Sequence, residues 1–184
     1  MLRKLKQKNI TIYDLKRKKA NKKTFDSYIK KNNPQIILFN GHGAQDRIAG
    51  IDDETLVELN IDEALLEGRV IYARSCKSAR LLGVSCVENG AIAFVGYKND
   101  FVLIFTPEKS TKPLTDKIAG YFLEPSNLVI ESLLKGNSPR VAHLKSQNNS
   151  IKKIKYLFSD KASQEEKSLL PFLWRNIKAQ VVID

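Results

Sequence analysis

The stretch Pro34-Gln-Ile-Ile-Leu-Phe-Asn-Gly-His-Gly43 constrains this chain more than any other. Ile36, Ile37, Leu38 and Phe39 are four consecutive β-formers between a proline and a glycine, the pattern of a strand covered on both faces, as in parallel sheets. The run stops at His42, held between Gly41 and Gly43. A second run of the same kind, Val70-Ile-Tyr-Ala73, leads into Arg74-Ser75-Cys76. A histidine and a cysteine thus stand at the carboxyl ends of two core strands, where open α/β sheets place their ligands.

The order of elements around these runs predicts the fold. Asn9–Tyr13 alternates weakly as a strand would, and Thr24 is expected to cap a helix carrying Phe25, Tyr28 and Ile29 on one face. Asn32-Asn33-Pro34 ends that helix, which makes a β-α-β unit. Asn60 and Glu63 form a capping box for a short helix through Leu66, with Gly68 closing it. Beyond Cys76, the face Ala79, Leu82, Gly83 and Cys86 predicts a helix opening at Cys76 and closing at Asn89-Gly90, with Cys86 in the core. Ala91–Tyr97 reads as a third core strand and Phe101–Phe105 as a short extended segment. Helices follow at Thr115–Phe122, Ser126–Leu134, Pro139–Gln147, Ile151–Phe158 and Gln164–Lys178, then a terminal strand at Val181–Ile183. The expected architecture is one domain over 1–184, a three-layer α/β sandwich with a mostly parallel sheet and helices on both faces.

Charge narrows the function classes. Residues 1–31 hold 12 Lys/Arg and 2 Asp of chain totals of 31 and 20, so the remainder carries only +1 of the formal +11. The basic segment 1–8 and the lysines after it carry no interleaved aromatic platform, which argues against nucleic-acid binding as the main function. No apolar run approaches the roughly 20 residues of a membrane span, and the start is too polar for a signal peptide, so the expected location is the cytoplasm. Two cysteines without an export signal are expected to be free thiols. From Asp46 to Glu67, eight acidic residues face the single base Arg47. Asp52-Asp53-Glu54 reads as solvated surface rather than a calcium site. Two His and two Cys without ligand spacing exclude a zinc site by pattern, and Gly41-His-Gly43 lacks the third glycine of a dinucleotide fingerprint. His143 falls on an amphipathic helix as a structural residue.

A cysteine nucleophile requires a thiolate, an imidazole and backbone N–H groups aimed at the oxyanion. Cys76 at a helix mouth would have its thiolate favoured by the helix dipole. His42 would reach it from the neighbouring strand end, about 4.8 Å away per strand spacing. Gly41 and Gly43 would let the backbone approach a carbonyl closely.

Ile36-Ile-Leu-Phe-Asn-Gly-His42-Gly43, Val70-Ile-Tyr-Ala-Arg-Ser75-Cys76, Gly90–Tyr97, Leu133-Leu-Lys-Gly136 and Val141-Ala-His143 together resemble the caspase–gingipain superfamily of cysteine peptidases, in its CHAT-type and gingipain-like branch. The resemblance covers roughly residues 9–158, and the animal caspase signature Gln-Ala-Cys-Arg-Gly is absent. It implies a cysteine endopeptidase acting on polypeptides without a metal or cofactor, with His42 and Cys76 as a catalytic dyad and the N–H groups of Gly43 and Cys76 as oxyanion hole. It implies that Arg74 lines the pocket for the side chain before the scissile bond and favours an acidic one. The competing expectation is that the acidic loop neutralises Arg74 while Asp46 or Asp52 selects Arg or Lys. Members of the superfamily open with a further strand and helix, so a sheet short of one strand is expected, the unit being part of a longer protein, completed by a homodimer or a partner's strand, or a degenerate form of the fold. Two other readings stay open: a catalytically inactive interaction module of the same fold, and a basic nucleic-acid-binding protein.

Overall fold

The computed structural model describes residues 10–109, 111 and 115–184. The basic segment 1–8 and Asn9 lie outside them. Four strands, β1 (Ile36–Asn40), β4 (Val70–Arg74), β5 (Ala93–Tyr97) and β6 (Gln180–Ile183), form one sheet in the order β1-β4-β5-β6. The first three run parallel and β6 returns antiparallel, pairing Phe94 with Ile183. Between β1 and β4 the chain folds into a small antiparallel ribbon, β2 (Arg47–Ala49) and β3 (Thr55–Glu58).

Strand alternation divides the sheet residues between two cores. Ile37, Phe39, Ile71, Ala73 and Phe94 face one side, where they meet Phe25 and Ile29 of α1 (Lys22–Asn32), Leu82 and Cys86 of α2 (Leu82–Glu88), and the ribbon residues Ile48, Leu56 and Val57. Tyr72, Val95 and Tyr97 face the other side. There they pack on Val129, Ile130 and Leu133 of α3 (Lys117–Leu133), Ala142 of α4 (Pro139–Leu157) and, beyond the single turn α5 (Gln164–Lys167), Ala179 of α6 (Leu170–Ala179). The result is an α/β sandwich with helices on both faces of a mixed sheet. Gly83 lets α2 lie close to the sheet, because a Cβ there would fall 2.8 Å from Cδ1 of Phe94.

Several local expectations are corrected. The cap of α1 is Asn21, whose side chain accepts from Thr24 N at 2.8 Å, so the helix begins ahead of Thr24. Ile10–Tyr13 form no strand; Tyr13 instead packs edge-on against Tyr28, with ring centroids 5.8 Å apart. Phe101–Phe105 is not a strand either, because the Asn176 side chain bonds both Val102 N (2.8 Å) and Val102 O (2.7 Å) and takes the ladder's place. The two helices expected on either side of Pro125 are the single α3, with the proline inside it, and those on either side of Asn148-Asn149-Ser150 are the single α4. Conversely, the segment 164–178 breaks into α5 and α6, with a proline in the first turn of α6. Only a short 3-10 turn, Glu63–Leu66, stands where a helix is expected, although Asn60 N does donate to Glu63 Oε1 (2.5 Å). The terminal strand and the three core strands are where the sequence places them.

The expectation that β1 is covered on both faces also fails. β5 is buried at every position, whereas in β1 only Ile37 and Phe39 are buried and Leu38 is 42% exposed. Among the described residues no strand lies outside β1, which therefore ends the sheet.

Candidate active site

The register of β1 and β4 sets the geometry. Asn40 pairs with Arg74, so His42 and Cys76 each stand two residues beyond a matched pair on adjacent strands. Gly41 N still reaches Arg74 O (3.4 Å), after which the two chains part.

The chain after β1 is held by backbone bonds. Ala49 N donates to His42 O (3.1 Å), Ala44 N to Arg47 O (2.9 Å), and Gly43 bridges Ile48, so His42-Gly43 is one arm of a hairpin whose other arm is β2. Leu82 N donates to Gln45 O (2.9 Å), which ties the hairpin tip to the start of α2. The backbone of Gly43 lies directly on the loop that carries Cys76: a Cβ there would stand 2.9 Å from Ser75 Cβ and 3.1 Å from Cys76 O. Glycine is required at this position for close approach. His42 is exposed, and its imidazole has no hydrogen-bond partner among the described residues.

Cys76 is half-buried, and it does not open a helix. It sits in a turn, and α2 begins only at Leu82, so the expected help of a helix dipole for the thiolate is withdrawn. The sequence signal was misleading because Ala79, Leu82 and Cys86 are all buried, as a helical face would be. Yet the Ala79 N–H crosses to Tyr97 O (3.2 Å) instead of continuing a helix. Lys77 takes a left-handed conformation (φ 59), and its N–H donates to Asn99 O (3.2 Å) while its ammonium reaches Asp100 at 3.4 Å. Ser75 and Ser78, both buried, bond each other at 2.9 Å, the Ser75 hydroxyl donating to Ser78 Oγ. Sequence reasoning passed over this serine pair and the Asn99-Asp100 loop; their only signal is small and turn-forming residues after a strand.

Arg74 is clamped. Its Nε donates to Asn40 Oδ1 (2.7 Å), and its Nη1 to Ser126 Oγ (2.7 Å) and Asn127 Oδ1 (3.0 Å) on α3. All three partners are neutral, and Arg74 has no carboxylate partner among the described residues, so the acidic loop does not neutralise it. Asp46 is exposed at the hairpin tip, and Asp52 is exposed in a left-handed conformation (φ 52). Much of the acidic loop is structural. Asp53 pairs with Arg47 (2.7 Å), Asp62 with Lys22 (2.6 Å), and Glu63 accepts from Ser85 Oγ (2.7 Å). Among the described residues no three His, Cys, Asp or Glu side chains converge as a metal centre would need.

Cys86 and His143 lie outside this arrangement. Burial, together with the Glu63 carboxylate, pushes the Cys86 thiol up to about 12, so it stays protonated. His143 sits against Gln180 (Nδ1 to Oε1, 3.2 Å), and burial lowers its pKa below the ordinary histidine value.

What the loops can offer a substrate is therefore a thiol and an imidazole on neighbouring strand ends, a backbone held close between them, and an uncompensated guanidinium behind. No helix among the described residues is long and apolar enough to cross a membrane. Comparison of the chain with protein-family models, curated proteins and solved structures finds no match.

Proposed function

We propose that this chain is a cysteine endopeptidase related to the caspase–gingipain superfamily. Cys76 gives its thiol proton to His42 and its Sγ attacks the scissile carbonyl; the adduct collapses to a thioester as His42 passes that proton to the departing amine, and water then attacks the thioester, its proton going through His42 to the leaving Sγ to restore the thiol. The N–H groups of Gly43 and Cys76 receive the oxyanion. The observation that supports this reading is that His42 and Cys76 each follow the paired Asn40 and Arg74 by two residues on adjacent strands, with the backbone of Gly43 close against Ser75 and the Cys76 carbonyl. Arg74, whose bonds go only to neutral groups, retains its charge for an acidic substrate side chain.

The test is hydrolysis of fluorogenic peptides that differ only at the residue before the scissile bond, combined with alkylation by iodoacetamide. Wild-type protein should cleave after Asp or Glu, lose about a thousandfold in kcat/KM on Cys76→Ala or His42→Ala, and alkylate at Cys76 while Cys86 stays unlabelled. Cleavage after Arg or Lys alone would transfer the selection to Asp46 or Asp52. Absence of cleavage, with Cys76 alkylating no faster in wild type than in His42→Ala, would overturn the peptidase.

That second outcome would leave the other reading, a catalytically inactive module of the same fold that binds a partner. It has its own supporting observation: β1 ends the sheet with Leu38 exposed, an edge to which a further strand can add.

A further inference from the structure

Helix α4 has two apolar faces, and the domain uses only one. Ala142, Ser146, Ile154 and Leu157 are buried against the rest of the chain. Val141 (38%), Leu144 (56%), Ile151 (39%) and Phe158 (73%) remain exposed. Their spacing of three, seven and seven residues is that of the a and d positions of a coiled-coil seam, and Asn148 and Lys155 fill the remaining a positions. A single helix needs only one apolar stripe to hold it in a bundle, so a second one at heptad spacing is material for another helix.

The charge along this face is one-sided. Residues 139–157 contain five Lys/Arg and no Asp or Glu. Arg140 pairs with Asp184 and Lys153 with Glu124. Lys145, Lys152 and Lys155, which lie along the exposed stripe, are exposed and have no carboxylate partner among the described residues. We propose that the outward face of α4 docks an acidic amphipathic helix of another protein, its apolar residues between Leu144, Ile151 and Phe158 and its carboxylates on the three free lysines. A second copy laid along the same face would bring lysines against lysines, which argues against a symmetric pair. An anionic membrane would match the charge, but an inserting face is broad and continuously apolar. This one is a narrow line interrupted by Asn148 and Lys155. The inference stands independently of the peptidase reading, since it uses no residue of that site.

The experiment uses the full chain and a fluorescent synthetic peptide with leucines at heptad spacing and glutamates beside them; the control carries lysines in place of the glutamates. The acidic peptide should bind, weaken as salt rises, and lose about tenfold in affinity on Leu144→Asp. Phe158→Asp should do the same, and because both side chains are exposed the variants should keep the circular dichroism of the wild type. The control should not bind. Equal binding of both peptides, no binding of the acidic one, or affinity unchanged by either substitution would overturn the proposal. So would preferential sedimentation with phosphatidylserine vesicles, or a concentration-dependent dimer abolished by Leu144→Asp, each of which would give the face to a different occupant.

Discussion

β1 and β5 are both five-residue, largely apolar strands of one mixed sheet, yet they live in different surroundings. β5 is paired on both sides and buried at every position, with Phe94 filling the space that Gly83 and Gly96 leave open. β1 is paired on one side only, is buried only at Ile37 and Phe39, and is followed two residues on by the exposed His42. The centre of the sheet supplies stability, while the edge supplies an accessible strand end with the register already set by β4. A site built there can open to a substrate without disturbing the core, because neither Leu38 nor His42 is part of either buried cluster.

The contrast should show first in stability. Phe94→Ala removes a fully buried ring at a site already thinned by two glycines and should cost about 3–5 kcal/mol. Leu38→Ala, at a half-exposed position, should cost under about 1 kcal/mol. Denaturant titration of the two variants measures both, and comparable losses would mean that β1 is covered in solution by something the isolated sheet does not supply.

A finer comparison lies within the edge itself. Gly43→Ala forces a methyl to 2.9 Å from Ser75 Cβ and should cost about 1–3 kcal/mol, with slower alkylation of Cys76 as the two loops separate. Gly41→Ala meets only Ala49 O, at 3.4 Å, and should change stability by less than about 1 kcal/mol. If Gly41→Ala proved the more damaging, the contact between Gly43 and the cysteine loop would not be what holds the site.

The smallest expected effect belongs to the helical layer, far from both strands. The Lys117 ammonium, with hydrogen bonds from Ser163 N and Tyr121 OH, holds the Glu166 carboxyl down at about 2. Its unfolded value is about 4.3. A depressed acid adds stability that is complete above the unfolded value and disappears as the pH falls through that value toward the folded one. Glu166→Gln should therefore be less stable at neutral pH and show a flatter fall in denaturation midpoint between about pH 5 and 2. An unchanged acid limb would assign acid sensitivity to other carboxylates.

The parts of the fold legible in the sequence are those where one residue type serves one environment. Ile36–Phe39, Val70–Ala73 and Ala91–Tyr97 are runs of β-formers, and they are the strands, within a residue or two at the ends. His42 and Cys76 were legible as residues at strand ends for the same reason. The helical half was less so. Pro125 and the Asn148-Asn149-Ser150 triplet are local helix breakers, and tertiary packing overrode both. In α3 that packing comes from the buried Val129, Ile130 and Leu133 and from Asp116, which caps the helix through Ile118 N and Ala119 N. In α4, Ser150 Oγ returns its hydrogen bond to Ser146 O, so the hydroxyl satisfies the helix instead of competing with it.

Sequence by itself determined the apolar strands, their order of appearance, the burial of Cys86 and the placing of a histidine and a cysteine after two of those strands. These follow from local composition, since a strand's need for β-branched and aromatic residues is written in consecutive positions. Only the tertiary structure decided that β1 is an edge, that Cys76 lies in a turn docked on the β5 loop instead of at a helix mouth, and that Arg74 is held by Asn40, Ser126 and Asn127. Each of these depends on which distant group satisfies a given N–H or guanidinium. A backbone N–H donates to the carbonyl that packing presents to it, and that partner is set by the closing of the whole sheet, not by its neighbours in the chain.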